Sequence, residues 1–145
     1  MTKGELAESL FRNGYNCSQS VAVAFSEEMR LDKELVSHLA LGFGGGMGRM
    51  REVCGAVSAM TLVLSAVYVN DDRAKMYERV QYVSNRFKEE TGSIVCRELL
   101  GLNTKGADDP IPEKRTQEYY KKRPCPKIVH LCADILEEYL KFNQL

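Results

Sequence analysis

Apolar positions recur at helical spacing through almost the whole chain, and glycine or capping residues interrupt them at short intervals. Leu6, Leu10 and Phe11 mark a first helix that Gly14 stops. Asn16 caps a second, whose apolar positions are Val21, Ala24, Phe25 and Met29, with Glu27, Glu28 and Arg30 on the wet side. Asp32 caps a third with Leu35, Val36, Leu39 and Ala40 as its apolar positions. A cluster of glycines at 42, 44, 45, 46 and 48 then turns the chain sharply. The uncharged stretch from Val53 to Asn70 follows and reads as a buried helix starting near Cys54. Asp71 or Asp72 caps a fifth helix carrying Met76, Val80, Val83 and Phe87, which Gly92 closes. Ser93 starts a short helix with Cys96 in its first turn and Gly101 at its end. From Leu102 to Pro112 the chain has turn chemistry, including Asn103, Gly106 and Asp108-Asp109-Pro110, and predicts an ordered surface loop. Pro124-Cys125-Pro126 opens a last helix with Ile128, Leu131, Cys132, Ile135, Leu136, Tyr139 and Leu140 on its apolar face. No segment alternates as a strand would. The pattern predicts an all-α fold, a single domain over residues 1–145, built as a bundle of about six helices around the buried helix that follows Cys54.

Composition narrows the partners. Twenty basic and twenty acidic residues cancel, so no global field draws the chain to nucleic acid, and the basic stretch from Lys114 to Arg123 reads as a solvated face. The stretch from Val53 to Asn70 contains Gly55, Ser58, Thr61 and Ser65 and falls short of a membrane span, for which about 20 predominantly apolar residues are needed. Met1-Thr2-Lys3-Gly4-Glu5 lacks the layout of a secretory signal, so the expected location is the cytoplasm. Homo-oligomerisation stays open.

The 145-residue chain is long enough to bury a core without staples, so its five cysteines call for a chemical account. Cys17 follows the cap at Asn16, Cys54 opens the buried helix, Cys96 lies three past Ser93, and Cys125 sits between prolines. All four fall at predicted helix N-termini, where free amides and the helix dipole favour thiolate and lower the thiol pKa. They are far apart in sequence, so any shared site has to be built by the fold rather than by a local C-x-x-C knuckle. Cys132 reads as a small buried hydrophobe. The glycine cluster completes neither the dinucleotide fingerprint nor the Walker pattern. It reads as a tight connection that aims Cys54; the alternative is an anion site formed by Gly44, Gly45, Gly46 and Arg49, with Arg49 and Arg51 able to pair with an anion or a thiolate. His38 and His130 belong to no catalytic motif, and His130 is poorly aligned to share a ligand with Cys125.

Taken together and in order, G-Y-N-C-S-Q-S-V, G-F-G-G-G-M-G-R-M-R-E-V-C-G-A, C-R-E-L-L-G and C-P-K-I-V resemble the C_GCAxxG_C_C family of redox-active proteins. The resemblance covers nearly the whole chain and places the family cysteines on Cys17, Cys54, Cys96 and Cys125, with Cys132 outside the pattern. Ala59 stands where its C-G-A-x-x-G core has glycine. It implies a helical fold and redox chemistry. A related helical domain beside haem in split-Soret cytochromes extends the implication to an iron–sulfur or other metal centre, although this chain has no C-x-x-C-H for haem of its own. Two functions follow as expectations. One is a redox or metal-binding protein in which four cysteines hold zinc or an iron–sulfur cluster, or form reversible disulfides, and serve a redox partner that the sequence does not identify. The other is a helical interaction module whose cysteines only pack and whose glycine loop binds an anion or a partner.

Overall fold

The protein is described by a computed structural model over residues 1–102 and 106–144; Asn103 of the predicted loop lies outside the described residues. Among these residues there are nine helices and no strand: α1 Lys3–Arg12, α2 Cys17–Ala24, α3 Ser26–Met29, α4 Lys33–Leu41, α5 Gly55–Val67, α6 Arg73–Thr91, α7 Cys96–Leu99, α8 Gln117–Lys122 and α9 Cys125–Phe142. The fold is all-α. None of the described helices is long and apolar enough to cross a membrane.

The predicted caps act as caps. Asn16 accepts from the Gln19 amide while the Gln19 side chain accepts from the Asn16 amide, a reciprocal capping box that fixes where α2 begins. Asp32 accepts from the amides of Glu34 and Leu35, and Asp72 from that of Lys75. Gly92 takes the left-handed conformation that ends α6, with φ 91°.

Four features depart from the sequence reading. The second helix is not continuous: Phe25 breaks it from α3, the Ser26 hydroxyl turns back onto the Val23 carbonyl at 2.8 Å, and Arg30 ends α3 with φ 58°. Ser93 does not begin a helix, because its hydroxyl accepts from the Val95 amide and donates to Glu98, so α7 starts at Cys96. An additional helix, α8, forms within the predicted basic face, capped by Thr116. On α4, Val36 and Ala40 are buried but Leu35 and Leu39 are about half exposed, because the helix packs chiefly on α2 and turns these two leucines away from it.

The centre of the bundle is shared. Helix α5 packs against α2, α3, α6 and α9, while α2 touches α1, α3, α4, α5 and α9 and buries every residue from Ser18 to Ala24. Polar residues at such a position need partners. The Ser18 hydroxyl donates to the Ala40 carbonyl at 2.6 Å, the Gln19 side-chain amide to the Ser37 carbonyl and hydroxyl, and the Asn16 side-chain amide to the Leu41 carbonyl. These bonds tie the start of α2 to the end of α4, and so place Cys17 beside the glycine loop.

Candidate functional site

Each of the four cysteines singled out by the sequence sits at a helix start. Cys17, Cys96 and Cys125 are the first residues of α2, α7 and α9, and Cys54 is the N-cap of α5. All four line one cavity of about 360 Å³. Cys54 and Cys96 are 6% and 8% exposed, Cys17 and Cys125 are half-buried, and all are free thiols. Cys132 lies fully buried in the core and does not line the cavity.

Two local devices bring these distant segments together. The Cys54 amide donates to the Ile94 carbonyl at 2.8 Å and the Cys96 amide to the Glu52 carbonyl at 2.6 Å, around an isolated antiparallel bridge between Val53 and Val95. This pairing sets Cys54 and Cys96 on adjoining backbones. The second device is the glycine loop, in which Gly45, Gly46, Met47, Gly48 and Arg49 have φ from 57° to 70° in succession, and Arg51 has φ 60°. Consecutive left-handed residues are unusual, and each side-chain-bearing one costs on the order of 1–2 kcal/mol. Amide bonds that each reach back six residues hold the turn: Gly48 to the Gly42 carbonyl at 2.8 Å, Arg51 to Gly45 at 3.1 Å and Glu52 to Gly46 at 2.9 Å.

Close approach explains glycine at particular points. A Cβ on Gly46 would stand 2.7 Å from the Cys96 Cβ, and one on Gly55 would stand 2.6 Å from the Cys17 sulfur. Gly44 and Gly45 line the cavity with Arg49, whereas Gly46 backs Cys96 from outside it. Arg49 is already engaged, its Nε donating to the Asp109 carbonyl at 2.6 Å. Arg51 makes the sulfur contact open to it in sequence: Nη1 lies 3.6 Å from Cys96 Sγ, and Nε donates to Asp108 at 2.7 Å.

The electrostatics correct the expectation of lowered thiol pKa values. Amides do face the sulfurs, that of Gly45 in the glycine loop and those of Ser18 and Cys17 at the start of α2 toward Cys17, and those of Val57 and Ala56 at the start of α5 toward Cys54. Burial nonetheless outweighs them and pushes Cys17 up and Cys54 well up. Cys125 is pushed up to about 12, mainly by burial and then by the neighbouring Cys17 and Cys96, against the pull of Arg123 and Arg51. Dipole and amides support a thiolate only once something else offsets the loss of water. The sulfurs also oppose one another's ionisation: Cys17 raises Cys54, Cys125 and the deeper Cys132, and Cys96 raises Cys17, Cys54 and Cys125.

The histidines stand apart. His130 meets Glu8 at 2.8 Å and Asp134 at 3.3 Å, which links α1 to α9 away from the cysteines. Among curated proteins and among solved structures, none matches this chain. A family model does match, over residues 15–139, and its description is "Putative redox-active protein (C_GCAxxG_C_C)". That span begins just before Cys17 and runs past Cys125, so it takes in all four cysteines of the cavity, and the chain belongs to the C_GCAxxG_C_C redox-active family.

Proposed function

We propose that the redox centre of this protein is built on Cys17, Cys54, Cys96 and Cys125, and that these four hold an iron–sulfur cluster. The observation that carries the reading is that four cysteines from four separate helix starts line one cavity. Four cysteine thiolates are the usual ligand set of such clusters, which supply one-electron transfer when bound.

Three features support a cluster over the other uses of the same sulfurs. Thiol–disulfide exchange needs a thiolate, and burial holds Cys17, Cys54 and Cys125 in the protonated form. Metal binding displaces such protons outright, so a high thiol pKa opposes it less. Among the described residues, no three His, Cys, Asp or Glu side chains are grouped tightly enough to hold a single ion, which weighs against a preformed zinc site. A cluster attaches its ligands to separate iron atoms and spaces them more widely. The third feature is the surroundings: amides face Cys17 and Cys54 and the Arg51 guanidinium faces Cys96, interactions of the kind that stabilise cluster sulfurs and set their potential.

The test is iron, sulfide and zinc analysis with visible spectra on protein purified without oxygen, for the parent and for serine variants of each cysteine. Iron and acid-labile sulfide that vanish in the four pocket variants and persist in Cys132→Ser support the reading. A single zinc per chain, or metal-free protein with paired disulfides, overturns it.

A further inference from the structure

Residues 106–123 form one side of the cavity. Not one of the described residues from Arg97 to Cys125 is buried, and within 106–123 the apolar packing on the core comes from the partly buried Tyr119 and Tyr120, the latter edge-on to Phe11. Pro110, Pro112, Tyr119 and Arg123 nonetheless line the cavity from this side. Its remaining attachments are made by hydrogen bonds and by a guanidinium stacked on a ring. The Asp108 amide donates to the Arg49 carbonyl at 2.9 Å, and Arg115 donates to the carbonyls of Phe11 and Tyr15 while its guanidinium lies 4.1 Å from the Phe11 ring centre. Segments held in this way open locally at less cost than packed helices.

Arg51 joins this cover to the sulfurs. Only 6% exposed, it directs Nη1 to Cys96 Sγ at 3.6 Å and Nε to Asp108 at 2.7 Å, from a backbone held at φ 60°. Strained backbone of this kind persists where the surroundings over-determine it, and it gathers at functional sites. The planar fork of a guanidinium can serve two partners in different directions, which an ammonium on a flexible stem does not reproduce.

We propose that Arg51 is a positioning residue of the cysteine centre: one guanidinium holds Cys96 and, through Asp108, latches residues 106–123 over the cavity. Opening this latch widens the way to the sulfurs for iron, an oxidant or an alkylating reagent. The importance of the sulfurs rests on the redox-centre reading above, but the latch does not depend on which metal they take.

Timed alkylation by iodoacetamide on the reduced, metal-free, full-length protein tests this, with each cysteine read by mass spectrometry and helicity checked beforehand. Asp108→Asn keeps the shape of the side chain and removes its charge. It is expected to speed labelling of Cys17 and Cys125 by about three- to fivefold, the size set by a partly exposed ion pair, without changing Cys132. Arg51→Lys is expected to do the same and to speed Cys96 as well, since lysine cannot span both partners. Unchanged pocket labelling in folded Asp108→Asn overturns the latch, as does an equal rise at Cys132, which reports general loss of stability. Should Arg51→Lys fail to fold, Asp108→Asn decides alone. Failure of the parent to take up iron would sink the cluster reading and leave these labelling rates to be judged separately.

Discussion

The two ends of this molecule are held together by different physics. In the bundle, α2, α5 and α9 meet through Val21, Met60, Val63, Leu64, Val129 and Leu136, all fully buried, and their stability comes from area removed from water. Around the cysteines, the chain is held by long-range amide bonds, positive φ angles at Met47, Arg49 and Arg51, and the Arg51–Asp108 pair. The first region resists unfolding, whereas the second sets the positions of the sulfurs. Substitutions should therefore separate into those that move global stability and those that move thiol or metal behaviour.

The largest effect is expected in the bundle. Leu64→Ala empties a fully buried site and should lower unfolding free energy by about 2–5 kcal/mol in chemical denaturation, with the relative labelling of pocket cysteines unchanged in the folded state. A large change in that labelling pattern would join the two regions and break the comparison.

Alkaline pH is the next largest lever, because the raised thiols stay protonated in the fold while unfolded cysteines ionise above about pH 8.5. The unfolded state then binds fewer protons, so stability is full below that pH and falls as pH rises toward the folded value of about 12 for Cys125. By pH 10 the loss is about 2 kcal/mol for one fully shifted thiol. Denaturation of metal-free protein between pH 8 and 10 should show a steeper decline for the parent than for Cys125→Ala. Parallel curves would mean that the cavity does not raise this thiol.

Gly45→Val probes the strained turn. Gly45 has φ 67°, and a Cβ there would lie 2.9 Å from the Arg49 Cα. The expected cost is about 1–3 kcal/mol, accompanied by altered iron uptake or thiol labelling. A variant as stable as the parent, with both properties unchanged, would remove the loop from the site.

Smallest is the clasp between α1 and α9. His130 holds Glu8 below the usual carboxylate range, so the pair's contribution is present above the unfolded carboxylate pKa and fades as pH falls through the lower folded value. His130→Ala should cost less than about 1 kcal/mol near pH 6, since both side chains are partly exposed, and leave iron content intact. A loss of metal on this substitution would show that α9 is not anchored independently of the cavity.

What the sequence discloses follows the same division. Helix α6 could be read from Asp72, Val83, Phe87 and Gly92, because capping and periodicity are local, and the four cysteines stood out by their place at helix starts. Phe25 hid the break between α2 and α3, since its spacing fits a continuous helix and only the Ser26 turn and burial at a corner reveal otherwise. Helix α8 did leave a trace in the sequence, Thr116 three residues before Tyr119, but the charges around it pointed to solvent. Left-handed Met47, Arg49 and Arg51 were not legible because their stabilising bonds come from tertiary geometry. Neither was the reversal of the thiol shifts, because helix starts reveal the dipole while only the fold reveals the burial opposing it.

If the four pocket cysteines form one electron-carrying centre, a redox titration of the protein purified without oxygen will register it as a one-electron couple. A cluster held by Cys17, Cys54, Cys96 and Cys125 predicts a single reversible wave with a Nernst slope of about 59 mV, kept in Cys132→Ser and lost in Cys54→Ser. A slope of about 30 mV from iron-free protein would reveal a two-electron dithiol couple instead and contradict the account.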